Sequence, residues 1–172
     1  MNLNFPSKTI LQEAGRNNVE AATHAKDQAF LHGLRMCALA GNIWPLQGDG
    51  VLRVVSEELL TELMAFSIHT RRFMEMLRMK KGAVTADGPL VKIQSQEHPY
   101  ENDVWTAVNR VLHSSEMKVT TVQVETSKHS NLGDMLIANV LITSPERNKV
   151  SVCPQGIFYG FAVGPDGWKM QQ

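Results

Sequence analysis

The chain has 172 residues, 17 Lys plus Arg against 17 Asp plus Glu, and a formal net charge of zero. A domain of that length buries about 70% of its unfolded surface without disulfides or metals, and its balanced charge exerts no long-range pull on nucleic acid or an anionic membrane. The sequence holds no apolar run of the ~18 residues that a bilayer span requires and no leader pattern at Met1, so a cytoplasmic protein without membrane contact is expected.

Composition changes near Gly82, from Ala, Leu, Met and Glu to Val, Thr and Ile. Helices first and a sheet afterwards follow from that shift, in one α+β domain: a helical hairpin over about 18–81, then a sheet with one inserted helix over about 90–163. The first helix is predicted from about Asn18 to Ala40, ending at Gly41-Asn42 ahead of Pro45. Ala22, Ala25, Ala29, Gly33, Cys37 and Ala40 form a stripe of small side chains that lets another helix approach, with Phe30 and Leu34 flanking it. "IWPLQGDG" reads as a loop. Ser56 followed by Glu57-Glu58 reads as the N-cap of the second helix, which carries Leu59, Leu63, Phe66, Thr70, Phe73 and Leu77 on one stripe and closes on Arg78, Lys80, Lys81 and a C′ glycine at Gly82.

After "ADGP" come a short strand "LVKIQ", a polar connection through His98-Pro99, and Asn102 as N-cap of a third helix from Asp103 to about His113. "MKVTTVQVET", "DMLIANVLIT", "KVSVC" and "IFYGFAV" read as strands of a four- or five-stranded antiparallel meander, joined by turns such as "SPERN" and "PQG". "MLIANVLI" is apolar on both faces except at Asn139, the pattern of a central covered strand.

Two clusters could carry chemistry. On the third helix Val104, Trp105, Val108, Val111 and Leu112 share one arc, while Thr106, Asn109 and His113 point away from it. His113 then either decorates a helix C-terminus, where its charge complements the dipole, or does acid–base work beside Asn109. On the second helix "FSIHTRRF" sets His69, Arg71 and Arg72 between two phenylalanines. They read as a solvated rim with Arg71 paired to Glu75, or as an anion or RNA-backbone site, guanidinium groups being the usual partners of phosphate oxygens. His24 and His32 lie eight residues apart on the first helix, where neither a metal nor another cofactor is expected, and Cys37 and Cys153 read as reduced thiols.

The pairing of "FSIHTRRF" on a long helix with "VNRVLH" on a later one resembles the higher-eukaryote-and-prokaryote nucleotide-binding (HEPN) helical superfamily. The resemblance covers about residues 18–114 and implies a small cytoplasmic protein of a defence or mobile-element system, a homodimer that binds RNA or nucleotide, and in many members a metal-independent RNase. It assigns Asn109 and His113 to the polar residue and histidine of the family's catalytic motif. The arginine that should precede Asn109 is replaced by Val108, and Arg110 is the nearest arginine in sequence. A degenerate RNase is thus implied. The alternative is a non-catalytic homodimer that binds a partner protein or small ligand.

Overall fold

The computed structural model describes residues 19–42, 49–85, 98–124 and 135–164. In chain order these form α1 (Val19–Asn42), α2 (Asp49–Met76), α3 (Val104–Leu112), β1 (Glu116–Val124), β2 (Met135–Thr143), β3 (Lys149–Val152) and α4 (Pro154–Val163). The expected α+β class holds: two long helices and a short third precede a C-terminal antiparallel sheet. The segment read as the strand "LVKIQ" lies outside the described residues.

α1 and α2 run antiparallel, since Arg35 meets Glu62 while His32, earlier on α1, stacks on His69, later on α2. Their seam is built from Ala22, Ala25, Ala29, Met36 and Ala40 against Leu59, Leu63, Phe66 and Phe73, all buried. α2 begins seven residues ahead of the N-cap expected at Ser56. No breaker separates Gly50 from Ser56, and Arg53 pairs with Glu57 at one-turn spacing, 2.9 Å apart, so the helix extends back through "VLRVV" and leaves Ser56 inside it. The far end also differs from the sequence reading. Arg78, at φ 53°, takes the left-handed position, its N–H bonding Glu75 O and that of Met79 bonding Met74 O, each at 2.9 Å. That bonding pattern is a Schellman close on an arginine. Gly82, also left-handed at φ 81°, instead donates its N–H to Asp103 Oδ1 at 2.8 Å.

Asp103, not Asn102, caps α3: its Oδ2 accepts the Thr106 N–H at 2.9 Å, and the Thr106 hydroxyl also bonds to it. Because the same carboxylate holds Gly82, one buried side chain fixes the start of α3 against the exit from α2.

Among the described residues the sheet is a three-stranded meander, β1–β2–β3, with Thr120 opposite Asn139 and Val140 opposite Val152. β2 is central, as its apolar pattern predicts, and the buried Asn139 is satisfied: its Oδ1 accepts the Tyr100 hydroxyl at 2.9 Å. Tyr100 comes from a segment lying along the outer edge of β3, where Ser151 N donates to Pro99 O and Ser151 O accepts Glu101 N, both at 2.9 Å.

The fourth expected strand, "IFYGFAV", is α4. Pro154 occupies the first turn, where its missing N–H leaves no bond unmade. The Cys153 thiol accepts the Gly156 N–H at 3.4 Å as the cap, and Gly164 at φ 78° ends the helix. α4 lies on α1 so closely that a Cβ on Gly33 would fall 2.1 Å from the Phe158 ring. The small-residue stripe of α1 thus receives a second helix, and Phe158 and Phe161 interlock with Phe30 and Phe66 at ring separations of 5.6–6.1 Å. One continuous core runs from this aromatic group to Val140, Ile142 and Val152 of the sheet.

Candidate functional site

The third helix delivers Asn109 onto α2. Arg71 donates from Nη1 to Asn109 Oδ1 and from Nε to Glu75 Oε1 at 2.7 Å, while its guanidinium lies 3.9 Å from the Trp105 ring centroid. Asn109 completes its bonding by donating Nδ2 to Trp105 O at 2.8 Å. Arg71 is therefore held by a carboxylate, an amide and an aromatic face at once. The expected Arg71–Glu75 pair is present, and with it comes a contact to Asn109 that no spacing in the sequence signals.

His113 is the C-cap of α3; its backbone N–H bonds Asn109 O at 3.0 Å and its side chain is exposed. Arg110 bonds Glu101 at 3.2 Å. Val108 is fully buried in the core, and an arginine there would place its charge among apolar side chains. The cation beside Asn109 comes from α2.

A second cluster lies on the seam of the hairpin. His32 of α1 bonds Glu62 of α2 through Nδ1 at 2.6 Å, and Arg35 reaches the other oxygen of that carboxylate at 3.8 Å. The His32 ring stacks on that of His69, centroids 5.5 Å apart and planes within 3°. Counting by 100° per residue sets Arg35 and His24 on the side of α1 that carries His32, and Arg72 on the side of α2 that carries His69. Burial, followed by the nearby His32, His24 and Arg72, holds the His69 imidazole below its usual pKa. Its Nδ1 is buried without a hydrogen-bond partner. Arg72 is exposed and has no ion-pair partner among the described residues.

The three site residues expected on α2 therefore separate: His69 and Arg72 belong to the seam, and Arg71 faces α3. Comparisons with models of protein families, with curated proteins and with solved structures returned no match. The seam must be read from its own chemistry. His32, Glu62 and Arg35 escape a sequence reading because they join the site only when the hairpin closes. The signal that could have found them is the helical phase of His32 and His69, each at the edge of its apolar stripe.

The cysteines are not candidates for nucleophilic chemistry. Burial and the nearby Cys153 push the Cys37 thiol up to about 12, and burial raises Cys153 as well, so both stay protonated near neutrality. Among the described residues no group of three His, Cys, Asp or Glu side chains could hold a metal ion, and no helix is long and apolar enough to cross a membrane.

Proposed function

We propose that the protein binds RNA or nucleotide through phosphate oxygens, on the hairpin face that carries His69 and Arg72, and that Asn109 and His113 do not form an RNase site. The observation that supports this reading is the stacked His32–His69 pair with Arg35 and Arg72 on its flank: two guanidinium groups and two imidazoles gathered on one half-buried seam whose carboxylate, Glu62, is already held by His32 and Arg35, a composition suited to an anionic oxygen. Arg71, the other arginine of "TRR", is tied to Glu75, Asn109 and Trp105 and serves to hold α3 on α2.

The test is anisotropy of a labelled single-stranded RNA and of a labelled mononucleotide across a salt series. Arg72→Ala should weaken binding and lower the steepness of the log–log salt dependence by about 0.7, the value for one lost single-strand phosphate contact. Absence of binding at low salt overturns the proposal. In parallel, total RNA should survive incubation with wild type and with His113→Ala alike; metal-independent cleavage lost in His113→Ala would restore the nuclease reading.

A second reading, a homodimer that docks a partner protein, is favoured by the exposed apolar side chains Val51, Leu52 and Val54 at the start of α2 and Leu31 and Leu34 on α1. Sedimentation equilibrium tests it: a dimer lost in Leu34→Glu or Val54→Glu supports self-association, and a monomer at high concentration removes it.

A further inference from the structure

We propose that the stacked His32–His69 pair, with His24, Arg35 and Arg72 beside it, forms a site for a phosphodiester oxyanion on the seam between α1 and α2, gated by protonation of His69. The inference rests on the reading that this face contacts phosphate and adds that the ligand arrives together with protons.

The argument is a balance of charges. The charged side chains on this side of the hairpin are Arg35 and Arg72, Glu62, whose carboxylate is already shared between His32 and Arg35, and, by helical phase, the exposed Glu58 one turn before Glu62 and the exposed Glu20 one turn before His24. Each imidazole that gains a proton adds a positive charge, and the partners facing His69 are His32 and His24 from α1 and Arg72 from its own helix, all basic. α4, which also packs on α1, has no charged side chain in "PQGIFYGFAV". On the other side of α2, Arg71 and Arg110 are committed to Glu75 and Glu101. Protonation of His69 is therefore opposed by burial and by like charge, whereas His32 already has the Glu62 carboxylate beside it. An oxyanion seated among these groups turns that repulsion into attraction. By linkage, a ligand that favours the protonated form is bound with proton uptake, and its affinity rises by about tenfold per pH unit for each proton taken up.

The experiment measures RNA oligonucleotide binding from pH 8 to pH 5.5 at fixed ionic strength, with calorimetry in two buffers of different ionisation enthalpy to count protons. Sulfate serves as a second probe because its charge is constant over this range. Wild type should bind more tightly as pH falls and take up protons. His69→Gln should flatten the pH profile while retaining the binding at pH 8 that the arginines supply. Glu62→Gln removes the internal anion that competes for the seam and should tighten binding, the opposite of what a damaged fold would do. Binding that is independent of pH and releases or takes up no protons overturns the inference and leaves the phosphate reading standing. Proton-coupled sulfate binding without RNA binding overturns the phosphodiester as the ligand. No binding of either probe at any pH overturns both.

Discussion

Arg71 and Asn109, 38 residues apart in sequence, are joined by a hydrogen bond that fastens α3 to α2. The same guanidinium bonds Glu75 and covers the Trp105 ring. Arg71→Ala removes all three contacts, leaves the Asn109 carbonyl without its donor, and should destabilise the fold by about 1–3 kcal/mol. Arg71→Lys should recover little of it, because an ammonium lacks the planar fork that serves an amide and a carboxylate together. Thermal denaturation of both variants checks this. A lysine variant as stable as wild type would show that only charge matters here.

Tyr100 offers a second test, in the sheet. Its hydroxyl is the donor to the buried Asn139 Oδ1, so Tyr100→Phe should lower stability by about 1–3 kcal/mol in urea denaturation. Burial, then the nearby Cys153, raises the phenol above its usual pKa of 10.0. A folded-state pKa above the unfolded one means that the unfolded chain releases this proton first, so the contribution is intact below about pH 10 and is lost as pH climbs beyond it. The loss of stability above pH 10 should be shallower in Tyr100→Phe than in wild type.

Gly33 and Phe158 make a compensating pair. Alanine is the better helix former by about 1 kcal/mol, yet its Cβ would collide with the Phe158 ring at 2.1 Å. Gly33→Ala should therefore destabilise by about 1–3 kcal/mol, the usual consequence of overpacking. Adding Phe158→Leu to Gly33→Ala should harm the protein less than it harms wild type. Additive losses in the double-mutant cycle would refute a direct clash.

Arg78 closes α2 in a left-handed conformation that a side chain disfavours by about 1–2 kcal/mol. Arg78→Gly should raise stability by about 1 kcal/mol, and the gain should appear as a higher melting temperature. No gain would mean that the arginine side chain stabilises this turn by other contacts.

These contacts also mark how far a sequence can be read. The apolar stripes of α1, α2 and α3 and the alternation in the strands are local signals, and they carry through to the helical hairpin, the central position of β2 and the exposed side chain of His113, while Asn109, off the apolar arc as expected, meets Arg71 of α2. "IFYGFAV" misleads because a helix apolar on every side has no polar face to reveal its period; the surviving clues are Pro154 in its first turn and Gly164 after its end. Ser56 misleads because capping chemistry is permissive: a residue able to cap can equally sit inside a helix when nothing upstream breaks it. The seam was half legible. His69 and Arg72 stand in "FSIHTRRF", but their association with His32 and Glu62 depends on the register of two antiparallel helices, which side-chain packing sets and composition does not encode.

The segment that brings Tyr100 to Asn139 also occupies Ser151 through both its backbone groups, so the far side of β3 is already engaged. Among the described residues β1 is the other margin of the sheet, and strand addition there is the one left open to them. Two copies meeting through β1 about a twofold axis would make a continuous six-stranded sheet whose two outer strands each carry this contact at Ser151, which hinders further strand addition there. The contact that satisfies one buried asparagine thereby also blunts an edge of the sheet.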